Sequence, residues 1–155
     1  MKEHVNLEFT NLLSYRAKIT QPEAQKMPSE LLQFINKHKL EKNGPIISTT
    51  YSTKKENDKI ILDCEFMIPI AKTSKAINRH KLFTLKEKIY LCNCISHNYI
   101  GEKKDFQNAF KYVINYIKEN NLNVISTLFT VDNSDNNDNS LMNMDLYVSI
   151  NPNKL

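Results

Sequence analysis

Two stretches of strict alternation and two of helical spacing organise the chain. Leu62, Cys64, Phe66, Ile68 and Ile70 recur at every second position, and so do Met142, Met144, Leu146, Val148 and Ile150. Successive strand side chains point to opposite faces, so each set predicts a strand with one apolar face, at about 60–70 and 141–150. Leu31, Phe34, Ile35 and His38 share a face at helical spacing. This predicts a helix from about Pro28, a residue suited to a first helical position, to a stop at Asn43-Gly44-Pro45. Phe106, Ala109, Phe110, Val113 and Ile117 form a second apolar stripe, on a helix over about 103–119 that ends at Asn120 and Asn121. Further strands are predicted at about 4–20, 46–53, 86–97 and 124–131, with Lys54–Lys59 as a polar turn.

The element order is strand, helix, strand, strand, twice over. Pro45–Tyr51 resembles Asn123–Phe129, with Val124 falling 78 residues after Ile46. The same spacing places Phe34-Ile35-Asn36 on Tyr112-Val113-Ile114, and Leu62–Ile70 matches Met142–Ile150 at a spacing of 80. Ordered matches of this kind point to an internal duplication. The expected organisation is a single domain over 1–155, with halves at about 4–70 and 82–150 joined by a basic linker at 71–81. The fold class is α+β: duplicated units forming an antiparallel sheet, two helices on one face and a central groove on the other. A unit of two or three strands and one helix is marginal alone, which favours assembly of the two.

Alternation also sorts the polar residues. Asp63, Glu65 and Met67 oppose the apolar face of one strand, and Asn143, Asp145 and Tyr147 oppose that of the other. Halves related by a pseudo-two-fold would bring both sets to the central groove. Carboxylates, an amide, a Met and a Tyr make a plausible ligand site there. The alternative is a merely solvated face, which antiparallel sheets allow.

Two strand-helix-strand-strand units, closing on a strand such as Asp63-Cys64-Glu65-Phe66-Met67-Ile68-Pro69-Ile70, resemble the GyrI-like effector-binding fold. This is the domain of gyrase-inhibitory proteins and of drug-sensing regulators of the MerR and AraC classes. The passage from Tyr90–His97 through Tyr99 and Gly101 to the second helix is similar to that family's strand, aromatic, glycine, helix order. The resemblance implies that Glu65 and Asp145 are the carboxylates that would meet a cationic ligand. The chain departs from the pattern at Val148-Ser149-Ile150, which lacks the proline, and it contains no Trp to stack a ligand. At 155 residues it is expected to leave no length for a helix-turn-helix domain. Size and Asn/Lys/Ile-rich composition are also similar to those of small cytoplasmic proteins encoded beside type VII secretion genes, some of them chaperone-like.

Composition narrows the alternatives. Two glycines exclude the Gly-rich phosphate loops, and no apolar run reaches the roughly 20 residues of a membrane span. The net charge of +4 is interspersed, so nucleic acid is not expected as a partner. Met1–Asn6 lacks the apolar core of a signal peptide, and the three cysteines suit reduced thiols in a cytoplasm. Cys92, Cys94 and His97 offer three potential zinc ligands, with Cys64 or His80 needed to complete a tetrahedral set; free, buried thiols are the simpler reading. The segment Asp132–Ser140 lacks the glycine and closing glutamate of a calcium loop. No metal or cofactor is expected.

Lys72, Lys75, Arg79, Lys81, Lys86 and Lys88 make the connection basic, suited to an acidic partner surface or simply solvated. Tyr112 and Tyr116, four apart on the second helix, form a possible aromatic patch for a protein partner. The expected function is non-catalytic: a cytoplasmic accessory or chaperone-like protein-binding factor. The alternative is a binding protein for a small cationic effector. Hydrolysis by Asp145, Glu65 and Tyr147 is the catalytic alternative.

Overall fold

The protein is described by a computed structural model that places residues 1–71, 82–134 and 141–153. It is α+β, and the described residues form six antiparallel strands and two helices. The chain divides into two compact units, one of Phe9–Ile89 and one of Met1–Glu8 with Tyr90–Leu155. The strands are β1 (Lys2–Thr20), β2 (Ile46–Glu56), β3 (Lys59–Pro69), β4 (Thr84–Gly101), β5 (Phe129–Asp132) and β6 (Met142–Ser149). The helices are α1 (Gln21–Lys37) and α2 (Phe106–Glu119), the latter preceded by a single 3-10 turn at Lys103–Asp105.

Each unit has the same plan. In the Phe9–Ile89 unit β3 pairs with both β1 and β2; in the other, β6 pairs with both β4 and β5. Leu31, Phe34 and Ile35 of α1 pack with Leu13, Ile68 and Ile70. Ala109 and Val113 of α2 pack with Ile95, Leu146, Val148 and Ile150. The alternation in β3 and β6 thus sends one apolar set under each helix, as the sequence pattern requires. Small details recur too. Asn11 and Asn93 both have positive φ, and their side-chain amides donate to the carbonyls of Ile70 and Ile150.

The largest departures from the sequence expectation are in α1 and β5. Helix α1 begins seven positions before Pro28, at Gln21. Its start is fixed by a capping box: the Thr20 hydroxyl accepts from the Glu23 amide, while the Glu23 carboxylate accepts from the Thr20 amide and hydroxyl. Two orphan donors are thereby satisfied, and Pro28 is carried inside the helix. The helix ends at Lys37, because Lys39 adopts φ 55° and the Leu40 amide donates back to Ile35. Gly44 is not the stop; a Cβ there would lie 2.8 Å from the Pro69 ring, so glycine permits that close approach. Finally, β5 starts at Phe129, and of the predicted 124–128 segment Val124 forms an isolated bridge to Ile150.

Pairing register sets the equivalences between units. Ile47 faces Met67 as Phe129 faces Tyr147, and Thr49 faces Glu65 as Val131 faces Asp145. Phe129 therefore corresponds to Ile47, 82 residues earlier, whereas the sequence likeness matched it to Tyr51.

Candidate functional site

Glu65 is the one charged side chain fully buried among the described residues, 4% exposed, and its neighbours explain how. It lies on β3 opposite Arg16 of β1 and Thr49 of β2. An unpaired buried carboxylate would cost several kcal/mol, of order that of a lost ion pair. Here one carboxylate oxygen accepts from the Ser14 hydroxyl at 2.6 Å and the other from the Tyr51 hydroxyl at 2.6 Å. The Lys86 ammonium donates to both oxygens, at 3.0 and 3.2 Å.

The strand geometry brings these donors together. Ser14 faces Met67, so its side chain shares the Glu65 side of the sheet. Tyr51 arrives by a different device. The β2–β3 register shifts between Thr50 and Ser52, leaving Tyr51 as the extra residue of a β-bulge. The bulge turns Tyr51 toward Glu65. Next to it, Arg16 makes a forked contact with Asp63, at 3.2 and 3.3 Å, and its guanidinium lies 3.9 Å from the Tyr51 ring centroid.

The electrostatics follow from these contacts. Burial acts to raise the pKa of Glu65, but the hydrogen bonds from Ser14, Tyr51 and Lys86, with the Lys86 charge, outweigh it and hold the carboxyl below its usual range. Burial, then the bond to Glu65, push the Tyr51 phenol well up, so it remains a donor at neutral pH. The Arg16 hydrogen bond keeps Asp63 low. Asp63 and Glu65 are thus balanced by Arg16 and Lys86 within this network.

Asp145 occupies the equivalent place on β6, and its surroundings are different. It faces Asn98 of β4 and Val131 of β5. One oxygen accepts from the Asn98 amide at 2.7 Å and the other from the Asn133 amide at 2.7 Å. Asn98 also reaches Asn143, at 2.9 Å. Among the described residues no ion pair forms at Asp145. Asp145 and Tyr147 line an open cavity of about 520 Å³ together with Asn6, Ser96 and Asn98. Burial, then the Asp145 charge, raise the Tyr147 phenol pKa.

The sequence expectations meet this geometry unevenly. Asp63 and Glu65 belong to one network, and Asn143, Asp145 and Tyr147 cluster in the other unit. Met67 is 0% exposed, a core residue and not an open wall. Tyr112 is 47% exposed with its ring against His97, and the Tyr116 hydroxyl donates to Glu3. Lys75, Arg79 and Lys81 lie outside the described residues, as does most of the Asp132–Ser140 segment. Cys64 and Cys94 are free and buried, but Cys92 is exposed. Burial raises the Cys64 thiol and, with Cys92 beside it, pushes Cys94 up to about 11. Among the described residues no group of three potential ligands could hold a metal. Ser14, Arg16 and Tyr51 were not legible as site residues, and Lys86 was legible only as part of a basic run.

No protein-family model and no curated protein matches the chain. Solved structures do. EcmrR in its DNA complex, seen by cryo-EM in EcmrR-RPo, superposes with a TM-score of 0.72 at 13% identity, over 94% of this chain. The chain spans 56% of that EcmrR chain. The crystal structure of the EcmrR C-terminal domain matches with a TM-score of 0.66 at 13% identity, over 97% of this chain and 99% of that one. An uncharacterized conserved protein from Listeria innocua matches with a TM-score of 0.63 at 12% identity, over 96% and 93%. The fold is GyrI-like. At such identities the likeness is one of fold, and the function of a GyrI-like chain must be argued from its own residues. Among the described residues no helix is long and apolar enough to cross a membrane.

Proposed function

We propose that this chain is a small-molecule binding module whose guest is cationic, with Asp145 as the recognising carboxylate. The observation that carries the proposal is the setting of Asp145: a carboxylate lining an open cavity of about 520 Å³, held in place by two neutral amides and, among the described residues, paired with no cation. Amide donors orient the oxygens without neutralising them, so the charge remains available to a guest. Tyr147 supplies an aromatic face beside it, and Ser96 and Asn6 add polar contacts. The likeness to the EcmrR C-terminal domain and the family resemblance of the strand ends support a sensing or sequestering role.

The role is one of binding, without catalysis. Glu65 is held ionised by three donors, and a carboxyl with a lowered pKa is a poor general acid and a weak base. A protein-binding accessory role, or a link to type VII secretion, has less behind it: the two tyrosines that suggested it already engage His97 and Glu3. Three free thiols suit a reducing, cytoplasmic setting.

Calorimetric titration with tetraphenylphosphonium and a panel of cationic dyes tests the proposal. Asp145→Asn keeps the side-chain shape and removes the charge. It should weaken binding about tenfold or more, the effect of a hydrogen bond or contact to a charged group. Absence of binding to the parent chain by every probe would overturn the reading.

A further inference from the structure

We propose that Lys86 is the resident occupant of an ammonium site built around Glu65, and that it sets specificity by closing this site to outside cations. The inference stands on a different carboxylate from the Asp145 reading, so either can fail alone.

Three features argue for it. First, the donors at Glu65 divide by kind. The Ser14 and Tyr51 hydroxyls each engage one oxygen at 2.6 Å, which fixes the carboxylate plane. The remaining acceptor positions of both oxygens converge on a single point, where the Lys86 nitrogen sits at 3.0 and 3.2 Å. A point that accepts two N–H bonds from one nitrogen suits a primary ammonium, with its three donors. A quaternary ammonium has no N–H and cannot reproduce those bonds.

Second, the occupant is tethered but not sealed in. The Lys86 side chain is 37% exposed while that of Glu65 is 6% exposed, so the ammonium approaches a buried acceptor from the solvent side. Lysine carries its charge on a flexible four-carbon stem, so it can leave without moving the strand.

Third, the other nearby cation is committed elsewhere. Arg16 forks onto Asp63 and stacks on Tyr51, so among the described residues Lys86 is the cation that neutralises Glu65. The ion pair is thus a lock made of two parts of one chain. A guest ammonium binds only in the fraction of molecules whose Lys86 is displaced, and its apparent affinity falls by that fraction. Occupancy by Lys86 of nine molecules in ten would weaken guest binding about tenfold.

The test uses the full chain carrying Asp145→Asn, so that any guest at Asp145 is removed. n-Butylammonium chloride, a mimic of the lysine stem and head, is titrated at fixed ionic strength, with tetramethylammonium chloride as the control. Adding Lys86→Ala should tighten n-butylammonium binding about tenfold or more and let that salt raise the melting temperature. Tetramethylammonium should do neither, and a further Glu65→Gln should abolish the effect. Equal affinity for n-butylammonium with and without Lys86 would overturn the proposal, as would an equal response to tetramethylammonium. Should Lys86→Ala not fold, the parent chain answers by lysine acetylation read by mass spectrometry. Lys86 should be modified more slowly in the parent than in Glu65→Gln, and more quickly when n-butylammonium is present. Equal rates under all three conditions would contradict it.

Discussion

Glu65 and Asp145 hold the same place in two units of the same plan, yet among the described residues one is neutralised from within and the other is not. Both lie on the strand that pairs with two neighbours, and both turn away from a helix-covered face. The difference comes from three changed partners and one β-bulge. Arg16 faces Glu65 where Asn98 faces Asp145. Tyr51 is an inserted bulge residue, whereas β5 pairs with β6 without any shift. Asn133 donates an amide where the first unit supplies a phenol. Lys86 has its counterpart in His4, each being seven residues before the positive-φ asparagine of its strand, and His4 engages Asn93 at 2.8 Å. A carboxylate's task is therefore set by what its neighbours donate. Charged donors make it structural; neutral ones leave it open to a guest.

The sharpest way to break this comparison is to remove each carboxylate in turn. Glu65→Ala strands two buried hydroxyls and the Lys86 charge and should cost about 3 kcal/mol in urea unfolding. Asp145→Ala leaves only exposed or half-buried amides behind and should cost less than about 1 kcal/mol. Similar costs at the two sites would contradict the division of labour. Lys86→Met comes next, at about 1–2 kcal/mol, below the figure for a fully buried pair because the lysine is partly exposed.

A pH series sharpens the same point. The folded pKa of Glu65 lies below its unfolded value, so folding favours the ionised form. That stability is complete above the unfolded pKa, about 4.3, and is lost as pH falls through the folded value. Thermal melts of the parent should therefore drop more steeply below about pH 4 than those of Glu65→Gln. Parallel curves would show that Glu65 is not held ionised by the fold. The smallest effect is expected at Arg16→Gln, since an exposed ion pair contributes little; it should soften the acid transition slightly through Asp63.

How much of this could be read from the sequence depends on the kind of signal. Period-two alternation in 62–70 and 142–150 placed the two carboxylates opposite the helix-covered faces, because that pattern is a direct consequence of strand geometry. The helix stripe from Phe106 to Ile117 packs into one core for the same reason. Tyr51 could not be found, since a bulge breaks the alternation that sequence reasoning relies on. Lys86 looked like one more residue of a basic run, and only long-range pairing gives it a partner. The likeness of Ile46–Tyr51 to Val124–Phe129 misled the register of β5: chemical similarity matched segments that the pairing sets four residues apart. Pro28 misled the start of α1, because the capping box at Thr20 and Glu23 supplied a stronger local signal upstream.

The most direct test follows the side-chain carboxyl carbons of Glu65 and Asp145 by NMR, assigned through Glu65→Gln and Asp145→Asn, as tetraphenylphosphonium is added. The Asp145 signal should move and saturate, while the Glu65 signal stays in place because Lys86 and two hydroxyls already satisfy it. A saturating shift at Glu65 with Asp145 unmoved would contradict the assignment of Asp145 as the open carboxylate and Glu65 as the closed one.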